Sequence, residues 1–211
     1  MRSLFNSSRT SSQPGHGERE SRHSSGWQYL QKHLTASEGL RILDIGPTSA
    51  VNINYVTSLG HSIYMANLVD EAAKPEWKLP AEDGADPRFD VEQFIAANLN
   101  FLDRKFDVVT FWDTADYLPP DLLQPILARI HEAMKPGGLM LAFFHAKAIG
   151  AETRFSRYHL TPTDTVEIQR AGNHPLLHTY SNRQIEQLLR AFSGYKFFLA
   201  KDNLSEVVAT R

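Results

Sequence analysis

Polar residues that can bind a ligand or move a proton follow three apolar segments of the chain. Asp44 and Gly46 end the run RILDIG, Asp113 follows FDVVTFW, and His145 follows LMLAFF. If these runs are parallel strands, their carboxyl ends meet at one edge of a sheet, where open α/β sheets bind ligands. The helix predicted after Gly46, with Ser49 as its N-cap, directs free backbone N–H groups at that edge. This arrangement suits a nucleotide or an amino-acid carboxylate.

The apolar pattern predicts the elements that position these residues. Short buried strands are predicted at 41–46, 62–68, 94–99, 106–112 and 139–144. An amphipathic helix is predicted over 122–134, and a capping box of Ser181 and Gln184 begins a later helix. Runs at 195–200 and 206–210 predict an antiparallel C-terminal hairpin. The fold class is therefore α/β, a Rossmann-like, doubly wound and mainly parallel sheet with helices on both faces.

Length and composition limit the possible domain organisation, binding partners and chemistry. The 211 residues fit one domain, predicted over 26–211 behind a Ser-rich, Arg-rich tail at 1–25 that is expected to be disordered or to act as a lid. A net charge of -2 gives no reason to expect nucleic acid, and no apolar run is long enough to span a bilayer. The absence of cysteine excludes disulfides and thiolate chemistry. We expect a cytoplasmic protein with a small-molecule substrate, whereas the oligomeric state stays open.

The order and spacing of these motifs resemble a class I S-adenosylmethionine-dependent methyltransferase over roughly residues 27–211. The resemblance is carried by LDIG at 43–46, FDVVTFWD at 106–113, MKPGGLMLAFF at 134–144 and the closing hairpin. It implies S-adenosylmethionine as the cofactor. It also implies cofactor contacts by the methionine-binding group Asp44, Gly46, Pro47 and Thr48, the ribose-binding pair Asn67 and Leu68, the adenine-flanking pair Asn98 and Leu99, and the pair at the substrate border, Trp112 and Asp113.

The cofactor loop departs from the pattern of that family. Only Gly46 remains of the usual glycine-rich turn, because Thr48 and Ala50 add side chains where the backbone must approach the cofactor. Asn67 replaces the usual acid, and Asp70 lies close enough in sequence to substitute for it. Two functions follow: methyl transfer to a small or polar acceptor, or a non-catalytic scaffold with an eroded site. A nicotinamide-dependent oxidoreductase is disfavoured because no G-x-G-x-x-G follows the first strand.

Several of these candidate site residues also have a purely structural interpretation. Asp44 can cap a turn, Asn67 and Asn98 can be loop residues, and Trp112 can form core or pocket wall. His145 is the candidate general base, although a lone histidine there is also consistent with a purely hydrogen-bonding role. A metal site is not predicted, since Pro175 interrupts the spacing of His174 and His178.

The segment from Glu152 to Tyr180 is longer than a strand-to-helix connection requires. Its arginines, Arg154, Arg157 and Arg170, favour an anionic substrate if the segment overhangs the crevice. Alternatively, the segment is a solvated β-hairpin that protects an edge of the sheet.

Overall fold

A computed structural model describes residues 17–79, 88–147, 154–198 and 202–211. The strands are β1 (Arg19–His23), β2 (Arg41–Ile45), β3 (Ser62–Ala66), β4 (Phe106–Trp112), β5 (Met134–His145), β6 (Ser156–Leu160), β7 (Thr165–Arg170), β8 (Gly194–Phe198) and β9 (Leu204–Thr210). The α-helices are α1 (Ser25–Thr35), α2 (Ala50–Ser58), α3 (Leu68–Ala72), α4 (Val91–Asn98), α5 (Thr114–Tyr117), α6 (Pro120–Ala133) and α7 (Asn182–Leu188). A 3₁₀ turn occupies Pro75–Trp77.

Within these ranges the main sheet has the strand order β3–β2–β4–β5–β9–β8. The first four strands run parallel, β9 is antiparallel to β5, and β8 is antiparallel to β9. Apolar residues of α1 and α2 pack on one face of the sheet, and those of α4, α6 and α7 pack on the other. The predicted doubly wound sheet with a C-terminal hairpin is therefore confirmed. No described helix is long and apolar enough to cross a membrane.

The predicted strand at 94–99 is wrong. These residues belong to α4 and its C-terminal end, because the Asp90 side chain accepts the backbone N–H of Gln93 and starts a helix. Phe94 lies on the buried side of that helix and contacts Trp77 and Phe89 edge-on. The main sheet of the described residues consequently ends on this side at β3.

The predicted tail also extends too far along the chain. Residues Arg19–His23 form β1, which pairs antiparallel with β7, and Ser24 caps α1 by accepting the N–H of Trp27. Strand β1 contains no apolar residue, so its structure comes from backbone pairing with a distant strand. Residues 1–16 of the predicted tail lie outside the described residues, and the domain assignment to 26–211 stays a prediction.

Strands β1, β7 and β6 form a second antiparallel sheet, here called the lid sheet. The side chain of Arg22 fixes it to the main sheet by donating to Asp202 at 2.6 and 3.0 Å and to Glu206 at 2.5 Å. The carboxylate of Glu206 also accepts Ser24 Oγ at 3.0 Å and the backbone N–H of Gly26 at 2.6 Å. The lid sheet is thus held against β9 by a buried ionic network.

Candidate functional site

The carboxyl ends of β2 and β4 share a buried polar network centred on Asp44. Its carboxylate accepts hydrogen bonds from Thr110 Oγ1 at 2.7 Å, Trp112 Nε1 at 2.7 Å and Asn52 Nδ2 at 2.9 Å. Burial raises the pKa of Asp44, although these three donors oppose the rise. Asp44 pairs with Thr110 in the parallel register, so strand geometry places the first donor. The side chain of Asp44 is therefore saturated within the protein.

The indole of Trp112 lies directly on Gly46. A Cβ built on Gly46 would come within 3.1 Å of Trp112 Cδ1, so a larger residue would require the indole to shift by a few tenths of an ångström. Trp112 itself has a φ of 45°, a backbone conformation that is costly for a bulky residue. Its ring stacks on Tyr158 with centroids 4.9 Å apart and planes 7° apart. Trp112 thus closes the space between the ends of β2 and β4.

The lid sheet is joined to the start of α2 by polar side chains. Asn52 Nδ2 donates to the carbonyl of Tyr158 at 3.0 Å, and Asn52 Oδ1 accepts the N–H of Leu160 at 2.8 Å. Ser49 Oγ, which caps α2, also lies 2.7 Å from His159 Nδ1. The described part of the predicted segment thus contains an antiparallel hairpin, β6–β7, whose strand β6 packs on the start of α2.

Asp113 lies at the wall of a cavity of about 560 Å³. It is 2% exposed, and its Oδ2 accepts the hydroxyl of Tyr158 at 2.9 Å. Burial raises the pKa of Asp113 to about 7. The described residues that line the cavity include the charged or aromatic residues Arg22, Asp113, His145, Arg154, Tyr158 and Asp202. The volume is in the range of pockets that bind small molecules.

His145 and Asp116 form a hydrogen-bonded pair beside Asp113. Asp116 Oδ2 accepts both the backbone N–H and the ring Nδ1 of His145, each at 2.7 Å. Burial alone would lower the pKa of His145, but the hydrogen bond to Asp116 and the charges of Asp113 and Asp116 outweigh it and raise the pKa. With Nδ1 held by Asp116, Nε2 is the nitrogen left for a ligand, and His145 lines the cavity.

The predicted ribose contacts, Asn67 and Leu68, lie at the start of α3 and do not line the cavity beside Asp113. Asn67 caps α3 by accepting the N–H of Asp70 at 3.3 Å, and its Nδ2 donates to Asp70 Oδ2. Asp70 is exposed and paired with His174 Nε2 at 2.6 Å, while Leu68 is buried in the core. Of the predicted methionine contacts, Pro47 is half-buried and Thr48 is exposed.

The predicted adenine contacts do not join the strand-end group. Asn98 Nδ2 donates to the carbonyl of Phe94 within α4, and the side chain of Leu99 is fully buried in the core. Neither residue lines the cavity beside Asp113. The misassigned strand explains this outcome, since a strand end would have placed both residues at the ligand-binding edge.

The structure brings together Asp44, Gly46 and Trp112, and it places Asp113 with His145 on the cavity. Sequence reasoning missed Asp116 and Tyr158. Asp116 lies just past the end of β4, so the rule that selected Asp113 could also have selected it. Tyr158 carried no local signal, because its place on Trp112 depends on how the lid sheet folds back.

The arginines of the segment at 152–180 do not form the anion site considered above. Arg157 donates to Gln169 at 3.2 Å, and Arg170 donates to Asn173. Of the three, only Arg154 lines the cavity. Among the described residues, no group of three or more His, Asp or Glu side chains could hold a metal ion.

Strand order, the strand–turn–helix at Gly46 and the cavity beyond β4 together define a class I S-adenosylmethionine-dependent methyltransferase, an enzyme class whose cofactor is S-adenosylmethionine. The profile of the family described as Methyltransferase domain matches residues 19–195. The chain belongs to this family.

Several solved methyltransferase structures are similar to this chain at low sequence identity. A methyltransferase from Methanosarcina mazei is 17% identical, with 85% of this chain and 96% of that chain covered and a TM-score of 0.49. The 1,6-didemethyltoxoflavin-N1-methyltransferase of Burkholderia thailandensis is also 17% identical, with coverages of 89% and 77% and a TM-score of 0.46. Magnesium protoporphyrin IX methyltransferase from Synechocystis is 13% identical, with coverages of 88% and 77% and a TM-score of 0.47. No curated protein matches the chain.

In the described conformation the side chain of Trp112 lies at the switch point of the sheet. Ligands of doubly wound sheets bind where the strand order reverses, which is between β2 and β4 here. Trp112 fills that place against Gly46, and Thr114 Oγ1 donates to the carbonyl of Ile45 at 3.1 Å. Tyr158 covers Trp112 from the lid sheet. Trp112 therefore has to leave Gly46 before a ligand can lie there.

Asp113→Asn is expected to make the protein more stable at pH 8 and to leave its stability nearly unchanged at pH 4. In the unfolded chain Asp113 titrates near its ordinary pKa, whereas the native group keeps its proton up to about pH 7. The native state therefore binds more protons between these values, and stability falls as the pH rises through that window. Asparagine removes this loss, which we expect to be on the order of 2 kcal/mol because the cavity admits solvent.

Urea denaturation at pH 4, 6 and 8 measures this effect. The amide oxygen introduced by Asp113→Asn can still accept the hydroxyl of Tyr158, so the substitution changes charge more than contacts. Stability profiles of the two proteins that run parallel across the three pH values would contradict the assignment of a buried, proton-retaining Asp113.

Proposed function

We propose that this protein methylates a small molecule bound in the cavity beside Asp113 and His145. The observation that carries the proposal is the His145–Asp116 pair, because it presents an uncommitted ring nitrogen to a cavity at the carboxyl end of the sheet. Family membership supports the reaction class. The cytoplasmic location expected from the sequence stays a prediction.

The residues of the site perform acid–base and positioning work. Asp116 accepts a hydrogen bond from Nδ1–H of His145, which fixes the ring. Nε2 is then able to take a proton from the methyl acceptor. Asp113 and the hydroxyl of Tyr158 offer a hydrogen-bonding pair at the same wall. Burial of Asp113 and His145 strengthens their electrostatic interactions with a bound acceptor. The cofactor, when bound, supplies the methyl group.

Access to the cofactor site depends on Trp112 in this proposal. Stacking on Tyr158 and the hydrogen bond from Nε1 to Asp44 hold Trp112 in the described closed conformation, whereas its strained backbone favours opening. When only a minor conformation can bind the ligand, the apparent affinity equals the intrinsic affinity multiplied by the population of that conformation. Opening therefore requires Trp112 to move away from Gly46.

Calorimetric titration with S-adenosylhomocysteine tests this function. We expect the wild-type protein to bind, and Trp112→Gly to bind about tenfold more tightly, because glycine removes the obstructing ring and tolerates the positive φ. Tyr29→Ala, which removes an exposed aromatic ring on α1, is a control that should leave the affinity unchanged. Equal affinities of wild type and Trp112→Gly would contradict gating by Trp112.

One observation favours a second candidate function, a non-catalytic scaffold or binding module. Trp112 and Tyr158 occupy the place where a cofactor of this class would lie. If neither wild type nor Trp112→Gly binds S-adenosylhomocysteine at millimolar concentration, while circular dichroism shows both to be folded, the methyltransferase proposal fails and the scaffold is preferred.

A further inference from the structure

The cavity beside Asp113 has an acidic interior. Its buried cation, Arg22, donates to the carboxylates of Asp202 and Glu206 and to the carbonyl of Leu204. Two carboxylates therefore face one guanidinium, so the positive charge of Arg22 is already more than balanced. The lining also contains one further residue of each charge, Glu20 and Arg154.

The inner wall adds two more acids around a single imidazole. Asp113 and Asp116 are 2% and 0% exposed, and both raise the pKa of His145. Even with His145 protonated, these three groups carry a net negative charge when both acids are ionised. The described residues thus leave no unbalanced positive charge inside the cavity.

The wall also has binding capacity that the described residues do not use. Apart from its own backbone N–H, the donor to Asp113 within the described ranges is the hydroxyl of Tyr158, which reaches only Oδ2. The Nε2 atom of His145 has no hydrogen-bond partner among the described residues, and His145 is 8% exposed. Two buried polar side chains with acceptor atoms, Asp113 and His145, therefore line the same cavity.

We infer that the methyl acceptor is a small cationic amine, an inference that rests on the proposed function. A carboxylate substrate would place a further negative charge beside Asp113 and Asp116, and a neutral hydroxyl would gain no ion pair. An ammonium group donates several hydrogen bonds and matches two acceptors of the cavity wall, the carboxylate of Asp113 and Nε2 of neutral His145. Charge and donor count therefore select the same class of ligand.

The same wall can prepare an amine for reaction. An ammonium nitrogen has no free lone pair, so it must lose a proton before it can act as a nucleophile. Transfer of one proton to Nε2 gives a neutral amine and an imidazolium. The imidazolium is stabilised between Asp113 and Asp116, which compensates its charge. No oxidant, reductant or metal is needed for this proton transfer.

Binding of a matched fragment set to the full chain, without cofactor, tests the inference. The set contains small primary and secondary amines, each with an alcohol and a carboxylate of the same carbon skeleton, and binding is measured by ligand-observed NMR at pH 8. We expect the amines to bind about tenfold more tightly than the carboxylates. Asp113→Asn should remove this preference, whereas Glu186→Gln, which neutralises an exposed acid on α7, should keep it.

Preference for carboxylates or alcohols would overturn the inference. So would an amine preference that survives in Asp113→Asn, or failure of every fragment to bind at millimolar concentration. Because the readout needs no cofactor, these outcomes are separate from those of the titration with S-adenosylhomocysteine. A protein that binds S-adenosylhomocysteine but prefers carboxylates would keep the proposed function and lose only the acceptor class.

Discussion

Glu206→Ala is expected to lower the free energy of unfolding by about 3–5 kcal/mol, because it leaves a buried guanidinium without one of its two counter-charges. Glu206 is 2% exposed and Arg22 is 9% exposed. The same carboxylate accepts Ser24 Oγ and the N–H of Gly26, so its removal also leaves two buried donors without a partner. Removal of one partner is costly even where the intact ionic network contributes little to the free energy of unfolding.

Urea denaturation at pH 7 measures the loss, with Glu186→Ala as the matched control. Glu186 is an exposed glutamate on α7, where the substitution should change stability by no more than about 0.5 kcal/mol. Arg22→Met combined with Glu206→Leu also removes the guanidinium whose Nη1 would otherwise lack its acceptor, and it should recover part of the stability. A loss below about 1 kcal/mol for Glu206→Ala would show that Asp202 alone suffices for Arg22.

His145→Ala is expected to slow methyl transfer by about 10²- to 10⁴-fold, the usual contribution of a positioned general base. The rate is measured as formation of S-adenosylhomocysteine with the best amine from the fragment set. Affinity for S-adenosylhomocysteine should remain within about twofold, because His145 is assigned to the acceptor and not to the cofactor. Loss of affinity and rate together would indicate a structural role.

Asp116→Asn separates positioning from proton transfer. The amide oxygen can still accept Nδ1 of His145, but the carboxylate charge that raises the pKa of His145 is lost. Since the base form of His145 is the active one, the acidic limb of the pH–rate profile should move to lower pH in this variant. An unchanged limb would contradict the pairing of Asp116 with the catalytic base.

Local sequence patterns were sufficient wherever local chemistry decided the structure. The capping box of Ser181 and Gln184 starts α7 as predicted, and the apolar run 106–112 forms β4. The run 94–99 failed because a short apolar stretch fits either a strand or one face of a helix, and the cap at Asp90 decided for the helix. Strand β1 was missed because a polar strand owes its pairing to residues far along the chain.

The residues of the site were predictable from the sequence to about the same extent as the fold. Asp113 and His145 lie where strand ends were expected to meet, and Asp44 is next to Gly46 as the motif requires. The closure by Trp112 and Tyr158 could not be predicted, because stacking across two sheets leaves no periodic signal in the sequence. The cofactor contacts of Asn67, Leu68, Asn98 and Leu99 stay predictions, and burial of the side chains argues against Leu68 and Leu99.

The ionic network at Arg22 has a consequence for synthesis of the chain. Arg22 and Glu206 are 184 positions apart, and β9 lies inside the main sheet, between β5 and β8. A ribosome needs roughly 10 to 40 s to add that many residues. Arg22 has neither of its carboxylate partners during this interval, and β5 has an open edge from the time it is made until β9 follows. The nascent chain therefore passes through a stage in which an apolar strand edge is exposed, and we expect chaperones to bind it at that stage.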